Sequence, residues 1–406
     1  MKQAIHLDMK IAELVNAWPE TRTVFAAHGL EALISEEGMR VLAPFLTLGT
    51  ALRSRGIAAQ SFLRLLNEAV AEEEVCEAPG LTDYRTQGDL TLLALMPCGI
   101  KVPFAKAIST FLTELRQAGG PAVTYAVEGN LNQELSYYSY VGTIERIEEL
   151  PDIVVSADFN SFYHQRFYQR FVEPGHFVDV AETLPTGSYL QAGILDPEHH
   201  FSILGVNPLV MVADLDKVGD RPLPVCWDDL LAECWEGEVT LRGNQDFFCH
   251  AVLLPIYQEH GAEGLLNLAR NVRDGLHPAQ MVKAIDSGRG GALYVMPEFF
   301  AHRVKHQERI RIIWPEDGAL ASPVTLMVKK ESVAELQPVL DYLTGKDLGK
   351  VLVGARFPAP HADLPGELQE KPLKWIGWDF IRANDLAAVN AAIDEVFMPA
   401  VQRAVA

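Results

Sequence analysis

Leu90 to Phe104, LTLLALMPCGIKVPF, reads as an apolar strand that breaks at Met96-Pro97-Cys98-Gly99 and opens a helix, so that Cys98 stands where strand and helix meet. Backbone N–H groups exposed at a helix start attract anions and lower the pKa of a neighbouring thiol. Strand ends in α/β domains are also frequent ligand positions. Cys98 is therefore a candidate ligand contact, or a small apolar side chain packed under the turn. The same reasoning singles out Asn130 after Glu128-Gly129, and Asp158, Phe159 and Asn160 after the run Ile153–Ser156. Farther along it selects Asn244 and Gln245 after Arg242-Gly243, and Met296 and Glu298 after Ala292–Val295. Asn207 lies within Ile203–Met211, near an apparent crossover between two halves of the chain. Each has a purely structural reading beside the functional one. Asn130 and Asn244 follow glycines and suit turn dihedrals, Asp158 to Asn160 suit the cap of a helix near Phe162, and Glu298 suits a helix start.

Two pairs have metal-ligand side chains, His199-His200 and Cys249-His250. The first follows the loop Asp196-Pro197-Glu198. The second falls in a helical run, where adjacent side chains point about 100° apart and do not easily share one ion. No metal or cofactor is expected.

The elements that must position these residues follow from periodicity. Ile11, Leu14, Val15 and Trp18 share one helical face, Gly29 suits a helix end, and Ser61 to Glu72 repeats apolar residues at helical spacing. Residues 1–75 are thus expected to be a small helical domain and 76–89 a linker. Beyond the linker, strands and helices alternate: Leu90–Leu95 then Phe104–Ala118, Ala122–Val127 then Leu131–Tyr140, Ile153–Ser156 then Phe162–Phe171. Apolar strands alternating with amphipathic helices specify a parallel sheet covered on both faces. A second cycle predicts strands at Val239–Leu241, Ala292–Val295, Ile310–Trp314 and Val324–Val328. Its helices are expected at Trp227–Glu233, Gln245–Gln258, Glu263–Arg273, Met281–Asp286, Glu335–Leu343 and Asp385–Val401. Two crossovers, near Gly205 and Gly318–Pro323, give two lobes with a cleft between them. The first is expected over 90–205 and 320–406, the second over 206–319.

The chain of 406 residues carries a formal charge of −20, and its basic residues are scattered, which argues against nucleic acid. Five cysteines without a CxxC pair fit a reducing compartment. Asp8, Glu13 and Glu20 interrupt the N-terminal apolar stretches, so no signal peptide is expected. No segment reaches about 18 uninterrupted apolar residues, so membrane insertion is not expected. A cytoplasmic location follows.

Several segments, in order, resemble extracytoplasmic solute-binding proteins of ABC transporters, the type II periplasmic-binding fold. They are Pro151 to Asp158 (PDIVVSAD), Pro224 to Arg242 (PVCWDDLLAECWEGEVTLR), Asp286 to Val295 (DSGRGGALYV) and the turn Pro315-Glu316-Asp317-Gly318 before Ser322-Pro323-Val324, as in iron(III)-type members. The expected fold class is α/β, a two-lobed type II periplasmic-binding-protein fold with a small all-α N-terminal domain. The resemblance implies capture of a small molecule or ion by hinge closure, without covalent chemistry, and makes the periplasm the second choice of location. Iron(III)-type members use adjacent tyrosines of the second lobe, because hard Fe³⁺ prefers phenolate and carboxylate oxygen. Here Tyr137-Tyr138 fall in the first lobe and the second-lobe return offers only Tyr294, so iron chemistry does not carry over. A neutral, zwitterionic or weakly charged organic solute is then as plausible as an inorganic ion.

The N-terminal segment HLDMKIAELVNAWPETRTVFAAHGLE resembles DUF1858. Many members of that family carry cysteines after the corresponding glycine, whereas Leu30-Glu31-Ala32-Leu33-Ile34 has no thiol. Docking to a protein partner or self-association through residues 1–75 is expected, and not metal binding. The leading reading is a cytoplasmic binding or sensing module. The alternative is a thiaminase-like enzyme on the same fold, with Cys98 as nucleophile and Asp158 or Glu298 as base.

Overall fold

In the computed structural model the described residues are 5–70, apart from 29, 36–37, 40–42, 45, 56, 58, 60–61, 64 and 68, and 91–405, apart from 130–137, 182–186, 245–246, 362 and 365. The expected linker, Gly29, Asn130, Tyr137, Gln245 and most of the helix expected over Leu131–Tyr140 lie outside them.

Helices at Ile11–Ala17, Thr21–Ala27, Glu31–Ile34 and Leu48–Arg55 close on a core of their own. Ile11, Leu14, Val15 and Trp18 supply one stripe, met by Phe25, Leu30, Leu52 and Phe62. Thr21 Oγ1 donates to the Trp18 carbonyl at 2.6 Å and fixes the turn between the first two helices.

Among the described residues the α/β part contains ten strands: β1 (Leu92–Met96), β2 (Tyr125–Gly129), β3 (Ile153–Ala157), β4 (Ser202–Asp214), β5 (Val239–Arg242), β6 (Val272–Leu276), β7 (Leu293–Pro297), β8 (Ile310–Ile313), β9 (Ala319–Val328) and β10 (Leu373–Lys374). Their order is β2-β1-β3-β9-β4-β7-β5-β6, with β8 paired to β4 and β10 to β9. Every residue of β1, β3, β4, β7 and β9 is buried, which is why these strands read as continuous apolar runs in the sequence.

The sheet is mixed, where periodicity alone predicts a parallel one. β2, β1 and β3 run parallel in the first lobe, and β6, β5 and β7 in the second. The exceptions are the connecting strands. β9 lies antiparallel to β3 at Val324–Val328 and to β4 from Ser202↔Leu326 to Leu209↔Leu320. The far end of β4 is antiparallel to β7. β4 and β9 thus join the lobes side by side, and Asn207 faces Ser322 across them near the middle.

Helices cover both faces. Phe104, Ile108 and Leu112 of Cys98–Gln117 pack with β1, β3 and residues of Lys346–Gly354 in a first-lobe core. The helix expected from Gln245 begins at His250 and runs to Asn271 with a kink at Gly261, which makes Cys249 its N-cap residue. The last helix, Leu386–Val405, rests on this second-lobe helix, although the sequence groups residues 320–406 with the first lobe. Its buried stripe of Leu386, Ile393, Phe397 and Val401 explains the placement, with Phe397 edge-on to Phe248 at 5.2 Å. Among the described residues no helix is long and apolar enough to cross a membrane.

Candidate functional site

A small cleft, partly open to solvent, lies where the carboxyl ends of β1, β5 and β7 meet the middle of β4 and β9. Its first-lobe wall is Pro97-Cys98-Gly99. The 20-residue helix from Cys98 has Pro97 as N-cap, with no side-chain hydrogen bond to the first turn, and the Ile100 and Lys101 N–H groups donate to the Pro97 carbonyl at 3.0 and 2.9 Å. A Cβ on Gly99 would stand 2.8 Å from Cδ1 of Phe299. The absence of a side chain is what lets this aromatic ring of the second lobe reach the helix start.

The second-lobe wall carries Arg242, the last residue of β5, and His277. His277 is the N-cap of Pro278–Ser287, with proline in the first helical position, where its missing N–H costs nothing. Its Nδ1 accepts the Ala279 N–H at 3.2 Å, and Gln280 Oε1 accepts the His277 N–H at 3.0 Å. An acceptor role at Nδ1 assigns the proton of the neutral ring to Nε2. Nε2 lies 4.0 Å from Cys98 Sγ, across the cleft. His277 therefore offers the cleft a donor and cannot take the Cys98 proton without giving up its capping bond. The other proposed bases are held elsewhere. Asp158 faces Arg242 and Cys249, while Glu298 is bound by Arg356 and His302.

Asn207 and Ser322 form the floor, and Phe300 and Phe357 add to the apolar wall. Asn207 is 4% exposed, and among the described residues its Oδ1 has no hydrogen-bond partner. A buried acceptor in that state costs about 1–3 kcal/mol.

Behind Arg242 stands a cross-lobe cluster. Asp158 adopts a left-handed φ of 70° and accepts the Phe159 N–H on Oδ1 at 2.9 Å. Its Oδ2 lies 3.7 Å from Arg242 Nη1 and accepts from the Cys249 thiol at 3.7 Å. Burial, and then the Asp158 carboxylate, push the Cys249 pKa up to about 12. Well below that pKa the reactive thiolate is a very small fraction, so Cys249 is expected to resist alkylation near neutral pH and to react as pH approaches about 12 or on unfolding. Mass-spectrometric mapping of iodoacetamide adducts measures this, and rapid labelling of folded protein near neutral pH would contradict it.

Of the residues selected at strand ends, Cys98 and Asn207 line the cleft. Asp158 enters only through Arg242. Phe159 is buried beside Trp375, with ring centroids 5.4 Å apart, and Met296 is fully buried in β7; neither forms a cleft wall. Asn160 is a cap, with Oδ1 accepting the Phe162 N–H at 3.0 Å and Nδ2 donating to the Ala157 carbonyl at 3.0 Å. Asn244 is buried in a turn, its N–H bonded to the Phe247 carbonyl at 2.7 Å. Glu298 is 2% exposed and paired with Arg356. Tyr138 and Tyr294 are both buried, and burial raises both hydroxyl pKa values far above the usual range. Among the described residues one three-residue group could hold a metal, Asp228, Glu259 and His260, on the surface and with Glu259 already 2.8 Å from Lys374.

The strand-end rule passed over Arg242, taking the turn residues after it, and over His277. The pair His277-Pro278 carried a readable signal, an N-cap side chain followed by proline.

Residues 148–384 match the family model described as bacterial extracellular solute-binding protein, and residues 5–63 match DUF1858. No curated protein matches. Many solved structures share the fold. One is the apo ferric ion-binding protein A of Pasteurella haemolytica, 15% identical, with a TM-score of 0.56 over 76% of this chain and 98% of that one. The spermidine/putrescine ABC transporter substrate-binding protein PotD of Streptococcus pneumoniae is 13% identical, with a TM-score of 0.50 over 78% and 100%. A two-component system protein described as mediating signal transduction is 16% identical, with a TM-score of 0.54 over 75% and 100%.

Proposed function

Since the chain belongs to the bacterial extracellular solute-binding protein family, we propose that it captures a small anionic solute in the cleft, by closure of its lobes about β4 and β9. One observation carries the anionic reading. Arg242, the His277 Nε2–H and the start of the Cys98–Gln117 helix all border one small space. Each favours negative charge there, and together they oppose a bare cation. The fold itself does not choose a ligand, since its relatives include proteins described as binding ferric ion and polyamine.

Closure shifts an equilibrium only as far as the solute binds the closed form better than the open one. Groups from both lobes around one solute supply that difference. The helical unit at residues 5–63 and the likeness to a signal-transduction protein support a sensing role, in which occupancy is passed to a partner or a second copy in the cytoplasm.

Thermal denaturation of the full chain with phosphate, sulfate, lactate, spermidine and ferric citrate tests the reading. The anions are expected to stabilise by mass action, about 3 kcal/mol at a hundredfold excess over Kd. Stabilisation by spermidine with none from any anion would overturn it.

A further inference from the structure

Glu298 and Phe299 open the short second-lobe helix Glu298–Ala301, and both reach across to the first lobe. Glu298 is 2% exposed and holds Arg356 through both of its oxygens. The Phe299 ring lies against Gly99 so closely that Cδ1 stands 2.8 Å from the place of a Cβ there. It packs at once on the first-lobe core that contains Ile100 and Phe104 and on the core that contains Met296 and Phe300. From its own lobe Phe300 meets it edge-on at 5.2 Å, and the Arg303 guanidinium lies over its face, 4.4 Å from the centroid. The ring is thus aimed at Gly99 by its neighbours. On another flank Asp158 of the first lobe faces Arg242 at 3.7 Å and accepts from Cys249 at 3.7 Å. All of these contacts are made by the chain itself. Parting the lobes about β4 and β9 breaks them together, baring the Phe299 ring to water and pulling apart a charge pair that is held out of solvent.

We propose that Glu298 and Phe299 form an interlobe latch, with Gly99 as its seat, that holds the lobes together with or without a solute. The open form is then the minor one, about a tenth of the molecules or fewer. A solute adds its contacts to a closed form that already prevails, and the latch slows its release. This rests on closure about β4 and β9, and is independent of which solute fills the cleft.

Single-molecule energy transfer in the full chain tests the latch. Dyes are attached through azidophenylalanine at two exposed positions, Lys106 on the first-lobe helix Cys98–Gln117 and Leu266 on the second-lobe helix His250–Asn271. Protein stripped by exhaustive dialysis is expected to show one main population, at the transfer efficiency set by the separation of these positions in the structure. Phe299→Ala is expected to raise the ratio of open to closed molecules about tenfold. Gly99→Val, which drives a side chain against the ring, is expected to do the same. The distribution in the unaltered protein decides the matter even if neither variant folds, since a stripped parent that is mainly open overturns the latch. Folded variants as closed as the parent overturn it too. A stripped parent that is open and closes on phosphate, sulfate or lactate leaves the anionic reading standing without the latch. A closed parent that both variants loosen, and that binds none of these anions, keeps the latch and removes the anionic reading.

Discussion

Replacing Arg242 by methionine is expected to weaken binding of phosphate or lactate about a hundredfold, a loss of about 3 kcal/mol. Among the described residues Arg242 is the one arginine that borders the cleft, and it also faces Asp158 of the other lobe at 3.7 Å. Its removal takes away a charged donor and leaves the Asp158 carboxylate near the cleft without that counter-charge. Both effects act against an anion. Asp158→Asn added to Arg242→Met should therefore recover part of the loss, since it removes the repulsion without restoring the donor. Arg242→Lys should fall between, because an ammonium keeps the charge but not the planar fork. Calorimetry on the three variants measures these steps. An Arg242→Met protein that binds either anion as tightly as the parent would remove Arg242 from the site.

How much of this was legible in the sequence depends on the range of the interaction. β1, β3 and β7 are buried on both faces, so their composition reveals them directly, and the order of strands and helices reveals two lobes. The rule that ligands meet strand ends pointed to the level at which the cleft lies, and Cys98 lines that cleft. It could not tell which way a side chain points. Phe159 and Met296 stand at the right level and turn into the core, while Arg242, one residue before the turn, turns into the cleft. Asp158 shows the other limit. Its left-handed backbone and its pairing with Arg242, 84 positions away in the chain, leave no local trace. His277 is an intermediate case, since the helix cap was local information and the approach to Cys98 was not. Glu298 reads locally as a helix-start carboxylate and is one, but its charge is answered by a residue 58 positions on.

That answer makes Arg356 a residue whose loss should cost much stability. Glu298 is 2% exposed, and Arg356 grips both of its oxygens from the end of the Lys346–Gly354 helix of the first lobe. His302 adds a contact to Oε1 at 2.8 Å from its own side of the cleft. Deleting one partner of a buried pair leaves an uncompensated charge, so Arg356→Ala is expected to destabilise by about 3 kcal/mol. Arg356→Ala with Glu298→Gln should regain most of that, because a neutral amide no longer needs the counter-charge. Arg356 also holds a left-handed φ of 64°, which glycine adopts freely and alanine does not. Arg356→Gly should thus be less damaging than Arg356→Ala, by about 0.5–1 kcal/mol, although both lose the same ion pair. Urea unfolding of the four proteins separates charge from backbone. Equal stability of the single alanine variant and the double variant would show that the buried charge is not what Arg356 serves. The pair also joins the two lobes beside the cleft, so the same variants should bind phosphate or lactate more weakly, with Glu298→Gln failing to restore affinity even where it restores stability. Such a split follows if closure draws on the contact itself, while stability depends only on leaving no charge unanswered.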